Sequence, residues 1–195
     1  VSVIDSCNRE STVSNISSSI LLNASANNGL TNDLIWSSYI NWDIGVNRYE
    51  LYRKVNDVYE INPFVSLGPS VLSFEDDISS YLGSNASGQF CYKIKAVEEP
   101  NSFGFSSESY SNEFCANQDP IIFAPNSFTP NGDNINDNWF PLVNLLDFSE
   151  YRLYIYNRLN HLVFETSSSY ESWDGSYLNN DKIAPVGVDL YFIEF

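Results

Sequence analysis

Apolar and polar residues alternate in short runs along most of this chain, and clusters of Asn, Gly, Pro and Ser separate the runs. Between about residues 19 and 117 the runs read "SILLNAS", "DLIWSSY", "RYELYRKV", "FVSLG", "LSFEDD", "FCYKIKAV" and "SYSNEFC". A period of two puts successive side chains on opposite faces of an extended strand, whereas a surface helix would repeat at about 3.6 residues. No helical repeat is present. In "YELYRKV", Tyr49, Leu51 and Arg53 share one face while Glu50, Tyr52 and Lys54 share the other, the pattern of a half-exposed strand. In "FCYKIKAV", Tyr92, Ile94 and Ala96 oppose Lys93 and Lys95. Short strands at this spacing predict a β-sandwich.

The pattern changes at "ANQDPIIFAPNSFTPN", where Pro120, Pro125 and Pro130 fix φ and remove backbone donors. This reads as a linker entering an edge strand, with a domain boundary near residues 117 to 121. Beyond it, "YRLYIYNRLNHLVFE" alternates, breaks at Asn160 in a hairpin turn, and alternates again. "SWDGSY" supplies a second turn at Asp174 and Gly175, with Trp173 anchoring it from the core side, and Pro185 and Gly187 precede a last strand in "DLYFIEF". At the other end, residues 1–18 repeat the order strand, polar turn, Glu-Ser…Ser-Asn strand found in residues 92–114. The fold class expected is therefore all-β: the tail of a preceding β-domain over residues 1–18, a β-sandwich over 19–118 and a small antiparallel sandwich over 119–195.

Composition narrows the function. Thirteen Tyr, 13 Phe and 4 Trp with no Met suit strands. Nine basic against 25 acidic residues, a formal charge of −16, oppose binding to nucleic acid or to anionic lipid. An apolar content of 43% argues against disorder, and no run approaches the roughly 20 residues of a membrane helix, so no direct membrane insertion is expected. Cys7, Cys91 and Cys115 are too few and too scattered for a zinc site. Cys91 and Cys115 lie on predicted strands and form a cross-strand disulfide if those strands are neighbours; separate buried thiols are the alternative. Cys7 is expected to be free, or paired outside this chain.

Catalysis finds little support, and no catalytic residue is assigned. The sole histidine, His161, sits in the hairpin turn without a G-x-S-x-G partner motif, and turn histidines are ordinarily solvated. Asp76 and Asp77 are adjacent on a strand and point to opposite faces, unlike a glycosidase pair. In "NGDNIND", Asn131, Asp133 and Asp137 stand at even spacing, and calcium takes six to eight oxygen ligands. Ile135 occupies a position where such a loop wants Asp or Asn, and no Glu closes it, so Asx-turn hydrogen bonding is the preferred reading and calcium the alternative.

Two resemblances follow from these strings. "LIW…YELYR…CYKIKA…SESYSN" resembles a fibronectin type III domain of the kind common in Bacteroidetes surface proteins, with Trp36 as its core tryptophan and a Cys91–Cys115 bridge joining its last two strands. "PNSFTPNGDNIND", "IYNR", "LVFE", "WDG" and "PVGVDLYFI", in that order, resemble the gliding motility-associated C-terminal domain, the type B C-terminal domain of type IX secretion. Asn134 and Asn160 stand where that family has glycine, and both keep access to positive φ; Leu159 replaces its tryptophan; and the family usually adds a further strand after the position of Phe195.

The second resemblance implies export through the periplasm and recognition of a folded address by the type IX translocon, with a PorV-like or a PorP/SprF-like outer-membrane β-barrel as the receiving partner. It places recognition on Phe128, Thr129, Asn131, Asp133 and Asp137 of the Asn-rich loop, on Asn157 and Arg158 of the hairpin, and on Trp173, Asp174 and Gly175. The function expected is a C-terminal secretion and surface-attachment module of a large adhesin-like protein, at the cell surface or extracellular. The alternative is the accessory tail of a secreted polysaccharide-degrading enzyme whose catalytic domain lies upstream.

Overall fold

A computed structural model describes residues 4–10, 18–40, 42–180 and 182–195. The chain is all-β, its only helical pieces among the described residues being short 3-10 turns. Most of the 1–18 repeat lies outside the described residues; within it Ile4 bridges Glu10, and the Asp5 carboxylate accepts from the Cys7 and Arg9 amides. No helix among the described residues is long and apolar enough to cross a membrane.

The chain divides into two compact units, Val1–Asp77 with Phe90–Ala116, and Ile78–Gln89 with Asn117–Phe195. The first is built from β1 (Leu22–Asn27), β2 (Thr31–Trp36), β3 (Val46–Val55), β4 (Val58–Tyr59), β5 (Val65–Leu67), β6 (Ser73–Asp77), β7 (Gln89–Glu98), β8 (Glu108–Tyr110) and β9 (Phe114–Asn117). One sheet runs β1-β2-β6; the other runs β4-β3-β7-β8, with β5 on β3 and β9 on β7. In β2 the alternation buries Asn32, Leu34 and Trp36, and in β7 it buries Tyr92, Ile94 and Ala96. Trp36 meets Tyr49 of the facing sheet edge-on, with ring centroids 5.8 Å apart.

Polar groups cross this core as a connected chain. Asn32 Nδ2 donates to the Tyr92 hydroxyl at 2.7 Å, that hydroxyl donates to Asp76 at 2.8 Å, and Arg53 closes on Asp76 at 2.8 Å. Each buried polar atom so named has a partner, as an interior of low dielectric requires. Burial pushes the Asp76 carboxyl above the usual carboxylate range, with Arg53 and Tyr92 opposing it. Asp77 is exposed on the other face of the strand.

Two expectations for this unit change. The second face of β3 is half-exposed at Tyr52 and Lys54 but closed at Glu50, which is only 7% exposed under Arg48, Lys95 and Tyr52, whose contacts to its carboxylate are 2.7, 2.6 and 3.2 Å. Alternation marks a face as polar, but whether water or long cationic side chains cover it depends on the neighbouring strands. The run "SYSNEFC" is not continuous, since Ser111–Glu113 separate β8 from β9. There the Asn112 side chain accepts from the Leu22 amide at 2.8 Å and donates to the Leu22 carbonyl at 3.0 Å, completing the pairing of β1 in place of a strand. Cys91 of β7 and Cys115 of β9 are joined as a disulfide, with Cα atoms 3.9 Å apart, and Cys7 is free and exposed.

The second unit contains β10 (Ile121–Phe123), β11 (Leu142–Asn144), β12 (Arg152–Tyr156), β13 (Leu162–Thr166) and β14 (Leu190–Glu194). β10 pairs antiparallel with β11, and a three-stranded sheet runs β13-β12-β14. Its core gathers Trp139, Leu146, Tyr151, Leu153, Ile155, Val163, Phe164 and Trp173. Residues 78–89 are bound into the same unit: Gly83 N donates to Asn144 at 2.6 Å, Gln118 N to Gly88 O at 2.9 Å, and the Tyr170 hydroxyl to Asn85 at 2.9 Å. A side chain on Gly88 would put Cβ 2.6 Å from the Leu145 carbonyl oxygen, so only glycine lets these backbones meet.

Candidate partner-recognition site

The Asn-rich loop is organised around one carboxylate. Asp137 Oδ1 accepts from Asn131 N at 2.9 Å and Gly132 N at 2.7 Å, and its Oδ2 accepts from Asn134 N at 2.7 Å. The Gly132 amide first, then those of Asn134 and Asn131, hold this carboxyl below its ordinary range because they bond its charged form. Asp133 accepts from Ile135 N at 2.8 Å, Asn131 Oδ1 accepts from Asp133 N at 3.1 Å, and Thr129 N donates to Asn136 O at 2.8 Å. Gly132, Asn134 and Asn136 adopt φ of +77°, +67° and +55°. The loop is a set of nested Asx turns in which short amide side chains tolerate the left-handed region.

This loop is seated on the second turn. Phe128 packs at a tilt against Trp173, with ring centroids 5.1 Å apart, and Gly175, at φ +85°, lies so close that a Cβ would fall 2.7 Å from Pro130 Cγ. Trp173 and Trp139 exchange both backbone hydrogen bonds, at 2.8 and 2.9 Å, which ties the end of the loop to the start of the turn. Their indole N–H groups donate to the Ser176 and Pro125 carbonyls, each at 2.7 Å. The Asp174 carboxylate accepts from Ser176 N at 2.8 Å and Ser176 Oγ at 2.6 Å.

The hairpin turn between β12 and β13 is held the same way. Asn157 Oδ1 accepts from Leu159 N at 2.9 Å and His161 N at 3.0 Å, Asn160 N returns to Asn157 O, and Asn160 sits at φ +61°. Asn157 Nδ2 reaches the Tyr177 hydroxyl at 3.5 Å, linking the hairpin to the segment after Gly175. His161 and Arg158 are exposed.

The residues singled out from sequence therefore divide into two kinds. Asn157, Trp173 and Gly175 are buried and Phe128 packs on the core, so they shape the unit and offer little surface. Thr129, Asn131, Asp133, Arg158 and Asp174 are exposed and present polar groups to a partner, and Asp137 beneath them fixes the loop. Sequence reasoning missed Trp139 and Pro130; the only local signal was their position at the two ends of the Asn-rich run. For the calcium alternative, both Asp137 oxygens are already engaged by backbone amides, and Asp133 bonds Ile135 N and Asn131 Nδ2. The oxygens serve the loop's own backbone as they stand.

Residues 122–195 match the family model of the CHU_C Type IX secretion signal domain. No curated protein matches the chain.

Proposed function

We propose, with residues 122–195 a type IX secretion signal domain, that this chain is the C-terminal secretion and surface-attachment module of a large adhesin-like protein. Such a domain targets its protein for export and is not itself catalytic. The observation that carries the proposal is that the matched segment folds within one unit whose characteristic strings lock together, Pro130 against Gly175, Phe128 against Trp173, and Trp173 hydrogen-bonded through its backbone to Trp139. A rigid surface loop with exposed Thr129, Asn131, Asp133 and Asp174 is a shape that another protein can read.

In the proposed mechanism the type IX machinery reads the folded domain, and a PorV-like or PorP/SprF-like outer-membrane barrel receives it, the latter retaining the protein at the cell surface. The first unit serves as a fibronectin type III-like spacer. Its aromatic core, its ion-paired outer face and the Cys91–Cys115 bridge, a bond favoured in oxidising compartments, support a mechanical and stabilising role. Fusing the chain behind a fluorescent reporter tests the export reading. The reporter is expected outside cells with an intact type IX translocon and inside cells lacking it; equal export from both strains would overturn the proposal.

A further inference from the structure

One face of the first unit gathers an unusual share of the chain's cations. Alternation along β3 and β7 turns Glu50, Tyr52 and Lys54, and beside them Lys93 and Lys95, away from the core that Tyr92, Ile94 and Ala96 enter. With Arg48, which reaches Glu50, four of the chain's nine basic residues stand here. Their carboxylate neighbours are Glu50, Asp57, Glu108 and Glu113, so the face balances in a chain of formal charge −16.

Strand register sets tyrosines between the lysines. Tyr52 stands opposite Lys93, Tyr110 opposite Lys95, and Tyr59 opposite Lys54. Lys93 Nζ lies 4.8 Å from the centroid of the Tyr59 ring and 5.1 Å from that of Tyr110, and Lys95 Nζ lies 5.7 Å from that of Tyr52. Three of the four cations are ion-paired: Arg48 with Glu50 at 2.7 Å, Lys95 with Glu50 and Glu108 at 2.6 and 3.1 Å, and Lys54 with Glu113 at 2.8 Å. Lys93 forms no ion pair among the described residues, and the nearby Glu113 carboxylate is engaged by Lys54 and by the Tyr59 hydroxyl.

This mixture of rings, acceptors and one unpaired cation selects among ligand classes. A dense polyanion would be repelled by the four carboxylates, and an apolar protein surface would have to desolvate the ion pairs. A sugar ring instead offers an apolar C–H face to tyrosine and hydroxyl donors to carboxylates, and a uronate adds a single anion for Lys93. We propose that this face binds a glycan chain in which uronates alternate with neutral sugars. Tyr110, the most open of the three rings at 47% exposure, and Tyr52 carry the sugar faces, Lys93 holds the uronate carboxylate, and Glu108 and Glu113 accept sugar hydroxyls. The proposal goes beyond the spacer role of this unit and is independent of the export reading.

The test is isothermal titration calorimetry on the full 195-residue chain. The probes are oligosaccharides of hyaluronan and of unsulfated chondroitin, in which glucuronate alternates with a neutral amino sugar, the methyl esters of both, and a poly-Glu peptide. At least one of the two glycans is expected to bind, roughly tenfold tighter than its ester or the peptide, a difference of about 1.4 kcal/mol. Amide shifts in NMR spectra are expected to concentrate on β3, β7 and β8. Lys93→Gln and Tyr110→Leu should each weaken binding about tenfold, and Lys93→Arg should retain it. Lys182→Gln, at a lysine 5.3 Å from the Tyr177 ring in the second unit, should leave it unchanged. The comparison of acid with ester uses the unaltered chain, so it holds even where a variant fails to fold. Binding of neither glycan, equal binding of an ester, full affinity in a folded Lys93→Gln, or shifts on other strands would overturn the proposal. Equal or tighter binding of poly-Glu would overturn it in favour of an acidic protein segment.

Discussion

Substituting Gly175 by alanine probes the lock between loop and turn most directly. Two costs add at this position. A non-glycine residue at φ +85° lies in a region that costs roughly 1–2 kcal/mol. The new Cβ would also stand 2.7 and 3.2 Å from Pro130 Cγ and Cβ and 3.5 Å from Phe128 Cε2. Pro130 is a closed ring and Phe128 is pinned on Trp173, so the neighbours yield little, and overpacking of this sort costs about 1–3 kcal/mol. The sum, about 2–5 kcal/mol, is a large share of the 5–15 kcal/mol typical of a domain. At about 4–8 °C per kcal/mol for a unit of this size, the melting temperature of the second unit should fall by about 10 °C or more. Gly132→Ala is the internal control, because Gly132 has φ +77° but nothing within 4 Å of its Cβ position. Calorimetry on the full chain should therefore rank Gly175→Ala at least about 1 kcal/mol below Gly132→Ala, and Pro130→Ala in the Gly175→Ala background should recover about that much. Equal losses for the two alanines, or no coupling with Pro130, would show that the close approach between loop and turn is not what holds the site.

Further outcomes follow from the same structure. Asp137 has a lower pKa folded than unfolded, so its contribution is complete above the unfolded value of about 3.9 and is lost as pH falls through the folded one; Asp137→Asn should flatten the acid limb of the stability–pH curve, measured by urea denaturation. Arg53→Met leaves Asp76 buried without its cation, at a cost of about 3–5 kcal/mol near neutrality. The Asp76 pKa is already raised by burial and would rise further, so the variant should regain stability as pH falls, and chemical denaturation at two pH values checks the sign. Reducing Cys91–Cys115, separated by 24 residues, should cost the first unit about 3 kcal/mol. Native thiol labelling before reduction should report Cys7 alone. Calcium is expected to leave the melting temperature of the second unit unchanged, because the Asp137 oxygens are engaged by amides; a concentration-dependent rise would favour a calcium loop.

What the sequence determined by itself was local. Alternation in "FCYKIKAV" assigns Tyr92, Ile94 and Ala96 to the core without reference to any other strand, since a strand's faces follow from a period of two. Asn134 and Asn160 adopt the positive φ expected where the related family carries glycine, because a short amide side chain tolerates that region wherever it stands. The ordered strings of residues 122–195 were likewise legible, being turns and short strands specified within a few residues.

Tertiary structure alone decided what those faces meet. Glu50 reads as the polar side of β3 and becomes buried because Lys95 arrives from β7. Asn112 reads as a strand residue and instead pairs with Leu22, ninety positions away. Phe128 and Trp173 were singled out as surfaces for a partner, yet they hold the loop to the turn, since aromatic area is buried first within the domain that can enclose it. Residues 78–89 joined the second unit for the same reason. Propensity and periodicity act along the chain, whereas the choice of partner depends on contacts between residues far apart in it, which no local pattern encodes.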